Sequence, residues 1–159
     1  MPARGRIVEP TLNHVPAGRL AMSTPLNLAD LVGRILMSVI FVIAGLDKAI
    51  DYTATRDYME LHGVLSAFLP LVIVLEVVGA VAISIGYRTR VFSFLLAAFV
   101  VLAALLFHAD FNDPIQQSLF MKNLAMAGGF LVILARGPGE WSLDARIERQ
   151  SGEPALIPH

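Results

Sequence analysis

The sequence predicts an all-α integral membrane protein, a four-helix transmembrane bundle with both termini in the cytoplasm, and three observations carry that prediction. Of 159 residues, 56% are hydrophobic and only 16% charged, against roughly 45–50% and about 25% in an ordinary soluble domain. Too few charges exist to coat a water-soluble core. Four apolar stretches match the ~20 residues an α-helix needs to cross ~30 Å of hydrocarbon. Lys and Arg, finally, are unevenly shared among the segments that join those stretches.

Residues 31–46 carry one charge, Arg34, and reach spanning length if the helix starts near Asn27 or Leu28. Residues 64–85 are full length with a single charge, Glu76. Residues 91–107 have Ser93 as their one polar side chain, and residues 118–135 contain Lys122 and Asn123 near their start. The second connection, Gly86-Tyr87-Arg88-Thr89, is so short that its two helices must be antiparallel neighbours. Gly137-Pro138-Gly139 stops the fourth helix, since glycine accepts a left-handed cap and proline cannot continue the ladder. The first connection is longer and polar, with room for a short interfacial helix and with Tyr52 and Tyr58 suited to the headgroup layer. In the third, Asp113-Pro114 is a turn signal.

Residues 1–25 read as a disordered extension and not as a leader, because Pro10, Pro16 and scattered arginines interrupt them and no apolar run precedes Leu26. Met22 is an alternative translation start, with Ser23 or Thr24 able to cap a helix opening on Pro25. Residues 26–140 form the transmembrane domain, and residues 141–159 a cytoplasmic tail. Its first part either lies along the interface, with Trp141, Leu143 and Ile147 toward lipid, or frays as a polar segment before a disordered end. Arg4, Arg6, Arg19, Arg88, Arg90, Arg136, Arg146 and Arg149 fall in segments on one side, against Lys48 and Arg56 on the other. Positive segments stay cytoplasmic.

The polar residues inside the apolar stretches are the functional candidates. A central charge in lipid costs about 2.5–3.5 kcal/mol on insertion scales, so such residues face the bundle and have partners. Arg34, Lys48, Glu76, His108, Lys122 and Asn123 make up this set of intramembrane polar ligand-binding candidates. Glu76 lies too deep to reach either headgroup layer, so either a proton or a cation neutralises it. Counting from the helix ends places Arg34 roughly 8 Å from Glu76 along the axis and Lys122 roughly 12 Å away, which selects Arg34 as the partner. Lys48, His108, Lys122 and Asn123 gather at the other end as a cationic, titratable mouth, with snorkelling the plain alternative for Lys48 and an interfacial helix end for His108.

Zero cysteines exclude disulfides, thiolate metal sites and any thiol redox pair. A net charge of -1 lacks the basic field of a nucleic-acid binder. No phosphate-binding glycine loop, HExxH or GxSxG motif is present, so nucleotide, metal and esterase chemistries have no support.

Several short motifs in fixed order resemble the DoxX family of small four-helix membrane proteins. They are Gly33-Arg34, Gly45-Leu46-Asp47-Lys48, Glu76 before Gly79, Gly86 with Arg88-Thr89-Arg90, Phe107-His108, residues 120–129, and Gly137-Pro138-Gly139 with Ser142-Leu143-Asp144. The likeness covers residues 28–144. It implies a bacterial cytoplasmic (inner) membrane location. It also implies kinship with proteins linked to a thiosulfate:quinone oxidoreductase and to membrane oxidoreductase complexes acting in oxidative and thiol stress. Without cysteines this chain has no thiol electron carrier, so a redox role means a quinone-site or anchoring subunit beside a redox partner protein, with no covalent cofactor. Two functions remain open. One is a redox-associated subunit whose polar residues hold a quinone and whose His108 donates to or relays a proton from a quinone oxygen. The other is a non-enzymatic membrane scaffold or small-molecule carrier in which the same charges fix helix packing.

Overall fold

The computed structural model describes residues 24–151, and among them every regular element is helical. The order is α1 (Thr24–Ile50), α2 (Tyr52–Leu61), a 3-10 turn (Ser66–Phe68), α3 (Leu69–Ile85), α4 (Thr89–Phe107), α5 (Pro114–Arg136) and α6 (Leu143–Ser151). Four of these runs are long and apolar enough to span a membrane: Thr24–Ile50, Ser66–Ile85, Thr89–Phe107 and Pro114–Arg136. Residues 1–23 of the expected extension, with the Met22 start and its Ser23 cap, lie outside the described residues, as does the end of the tail. Thr24 and Pro25, expected in the disordered extension, are instead the first residues of α1, whose first turn tolerates a proline.

Each spanning helix buries one narrow stripe and leaves the rest apolar and open. On α1 the stripe is Asn27, Arg34, Ser38, Phe41 and Gly45, spaced three, four or seven residues apart as a helix face requires. Leu36 on the opposite face is 68% exposed, and Val39, Ile43, Val74, Val78, Phe94, Leu102, Leu105 and Leu131 are likewise exposed. A predominantly apolar exterior on all four helices is stable only against lipid. The small interior core consists of Phe41, Ala80, Ile83, Leu96, Ala97, Val100, Ala127 and Phe130.

Local chemistry sets the helix ends. Gly86 takes φ +75° and its amide donates to Ala82 and Ile83 carbonyls, closing α3 and turning the chain directly into α4. Proline fits the first turn of α5, where its missing N–H costs nothing, and the Asp113 carboxylate accepts from Ile115 N at 2.8 Å. The fourth span therefore starts four residues before the stretch read from hydropathy, and Lys122 lies about 12 Å inside it. The polar first connection does fold, into α2 and the 3-10 turn, and Trp141 to Arg149 is largely the helix α6 with the turn that leads into it.

α1 packs on α3, α3 on α4 and α4 on α5, whereas α1 and α5 scarcely approach through their backbones. Side chains close that seam along one half of the bundle. The Phe41 and Phe130 rings meet at 5.2 Å, and Met37 lies over Gly129, where a Cβ would stand 2.8 Å from its Cε. Beyond Phe41, toward the end that carries α2, the helices enclose a cavity.

Candidate intramembrane ligand site

At the end of the bundle near Thr24 and Arg136, Arg34 is 1% exposed and fully engaged. Its Nη1 donates to the Ile83 and Ser84 carbonyls at 3.2 and 3.5 Å, its Nη2 to the Trp141 carbonyl at 2.8 Å, and its Nε to Asp30 at 3.1 Å. The last carbonyls of a helix have no amide partners of their own and carry partial negative charge, and a guanidinium fork suits them. The tail completes this assembly. Asp144 accepts from Arg88 N, Thr89 N and Thr89 Oγ1 at 2.8, 2.9 and 3.0 Å, while its own amide donates to Gly86 O at 2.9 Å. Asn27 Nδ2 donates to Glu140 at 2.8 Å. Gly86 must be glycine on two counts, its positive φ and the collision that a Cβ there would make with Ser142 and the Arg34 guanidinium.

This corrects the pairing read from depth. Arg34 does not reach Glu76, because α1 overshoots the end of α3 and Arg34 stands level with Ser84, about 12 Å along the helix from Glu76. The partner of Glu76 is Lys48, whose Nζ donates to Oε1 at 3.0 Å and lies 2.9 Å from Oε2. Gly45, one turn before Lys48, sets that register. A Cβ there would lie 3.3 Å from Glu76 Cβ and 2.7 Å from Val77 Cγ2, so only glycine lets α1 lie this close to α3. The ammonium also donates to Ala44 O at 3.2 Å.

Above this ion pair lies a cavity of about 250 Å³. Lys48, Glu76, His108, Lys122 and Asn123 all line it; Arg34 does not. The walls are apolar and aromatic, including Phe41, Phe99, Val100, Phe107 and Met126. Asn123 is 7% exposed, yet its amide has no hydrogen-bond partner among the described residues, and neither does the Lys122 ammonium. His108 Nδ1 lies 2.7 Å from Gln116 Oε1. With that oxygen as acceptor, Nδ1 carries the hydrogen and a neutral ring presents Nε2 as a lone pair.

The first connection, read as having room for a short helix, forms α2; what sequence reasoning missed is that α2 covers the cavity with Thr55, Tyr58 and Met59. Tyr58 stacks on Phe107 at 5.6 Å and meets the tilted His62 ring at 4.3 Å, forming an aromatic lid beside His108. The signal was present as an apolar Met59 beside Tyr58 in a largely polar link, buried to 6% exposure. Among the described residues no group of three or more His, Cys, Asp or Glu could hold a metal ion.

A DoxX family model matches residues 29–109. The chain is 43% identical to the inner membrane protein YqjF of Escherichia coli K12 over 120 residues, covering 76% of this chain and 92% of that protein. It is 32% identical to the inner membrane protein YphA of the same organism over 123 residues, 73% of this chain and 88% of that one. A Drosophila melanogaster Surfeit locus protein 4 homolog is 26% identical over 127 residues, which make up 76% of this chain and 41% of that protein. No solved structure matches.

Proposed function

The chain belongs to the DoxX family, a multi-pass inner membrane protein like its relatives, and from that premise we propose that it is a ligand-binding subunit of a membrane oxidoreductase system whose cavity takes a quinone-class molecule. The observation that carries this reading is the buried, unpartnered Asn123 amide lining, with the exposed Lys122 beside it, a cavity walled by Phe41, Phe99 and Phe107. An apolar ring with oxygen acceptors satisfies both halves of such a site at once. The Tyr58 and Phe107 rings cover it, and His108, committed through Nδ1 to Gln116, offers Nε2 to take a proton from a hydroxyl of the reduced ring. Electrons leave through a partner protein, since this chain has no cysteine.

Solvent extraction of the purified protein, followed by thermal unfolding with added short-chain quinone, tests the reading. Co-purified quinone and a quinone-dependent rise in the unfolding temperature support it; absence of both removes it. The buried Lys48–Glu76 pair gives a competing reading, a scaffold or carrier without redox function, in which Glu76→Gln lowers folded yield and leaves quinol-linked turnover in membranes unchanged.

A further inference from the structure

The charges around the cavity do not cancel. Glu76 is the acid in its lining, and Lys48 already neutralises it at 2.9 Å. Lys122 therefore brings an uncompensated positive charge about 12 Å inside α5, where the ion pairs found among the described residues, Arg34–Asp30, Lys48–Glu76 and Arg56–Asp57, leave it out. A cation on a spanning helix without a counter-ion is costly unless its stem carries it outward, and Lys122, exposed yet lining the cavity, has no protein anion among the described residues to hold it elsewhere. Asn123, more than nine-tenths buried and unpartnered, stands beside it with two further donor hydrogens facing the same space. A neutral carbonyl would satisfy the hydrogen bonds and leave the charge as it was; an oxyanion satisfies both, and hydrogen bonds to a charged oxygen are about twice as strong.

Access is consistent with a bilayer-borne molecule. Lys122 is exposed and also lines the cavity, on α5, whose backbone scarcely approaches that of α1 and whose side-chain seam with α1 is closed at Phe41 and Phe130. Resting on the quinone-class reading above, we infer that the cavity holds its ligand's head as an oxyanion on Lys122 and Asn123. The ligand is then an apolar ring carrying an ionised hydroxyl, entering between α1 and α5.

A matched pair of probes separates this inference from the reading beneath it. Lawsone, a hydroxynaphthoquinone that is ionised at neutral pH, and its uncharged methyl ether are titrated against the full chain in phosphatidylcholine nanodiscs. The expected result is binding of lawsone at least about tenfold tighter than the ether, a preference erased in Lys122→Met and kept in Lys122→Arg. Lys122→Met strands no protein partner, so the empty variant should unfold at a higher temperature than the parent, which shows that it folds; Lys122→Gln serves as the second neutral variant. Equal binding of both probes, or a preference that survives Lys122→Met, overturns the oxyanion and leaves the quinone-class reading in place. Binding of neither removes both. A preference abolished by added phosphatidylglycerol reassigns the oxyanion to a lipid headgroup and overturns the ring.

Discussion

Replacing Lys48 by Met should cost more than replacing its partner Glu76 by Gln, and the difference follows from how unequally the pair is buried. The Glu76 side chain is 4% exposed and the Lys48 side chain 28%. Without the ammonium, the carboxylate stays among Gly45, Val77 and the α1–α3 contact, and breaking a buried pair from this side costs about 3–5 kcal/mol. In Glu76→Gln the charge is gone, but the amide still offers an oxygen in the same place. Lys48, two residues from the end of α1, can also swing outward along its own aliphatic stem, so the loss is about 1–2 kcal/mol. The double variant should recover roughly 2 kcal/mol relative to Lys48→Met alone, because it no longer buries a lone charge. Unfolding by denaturing detergent in mixed micelles, with the monodisperse yield from the same membranes, measures all four corners of the cycle. Glu76→Gln as damaging as Lys48→Met, or strictly additive effects, would show that burial asymmetry does not govern this pair.

Glycine substitutions should split by position. Gly45→Ala forces its methyl to within 2.7 Å of Val77 and should lower stability by about 1–3 kcal/mol, whereas Gly33→Ala, with nothing within 4 Å, should be neutral or slightly stabilising in the same unfolding assay. Asp144→Ala removes three accepted hydrogen bonds at the start of α4 and should cost about 1–2 kcal/mol, with Asp144→Asn keeping part of that. The cytoplasmic location of both termini, expected from the arginine count, requires an impermeant maleimide to label Asn112→Cys in intact cells and to spare Ser151→Cys. The opposite labelling would invert the protein.

Hydropathy alone revealed the four spans, since in lipid a helix must satisfy its own backbone and turn a mostly apolar surface outward, so each announces itself in isolation. Gly86 and Gly137 marked their helix ends for the same local reason. That Lys48, Glu76, His108, Lys122 and Asn123 would gather was also legible, because they are polar where lipid tolerates little polarity, and they line one cavity, whereas Arg34, chosen with them, does not. What sequence could not supply was axial register. Whether Glu76 meets Arg34 or Lys48 depends on how far α1 overshoots α3, and that is set by the absence of a side chain at Gly45, a contact between residues far apart in the chain. The lid was hidden for a different reason: α2 reads as a polar surface segment until Met59 and Tyr58 are seen against Phe107.

The docking of the tail bears on how the protein is made. Arg34 is synthesised early and enters the membrane with α1, but its carbonyl acceptors come from the end of α3 and from Trp141, and the Thr89 amide waits for Asp144. During translation the nascent bundle thus carries an unsatisfied guanidinium and an uncapped helix until residues beyond 144 have left the ribosome. Completion of the chain and completion of the fold coincide, so a ribosome that stalls inside α5 leaves a product with a visible defect at the membrane surface, the kind of exposed polar group that membrane proteases and chaperones discriminate against. A reporter fused directly after Gly139 interrupts the same junction, and fusions after Ser151 preserve it.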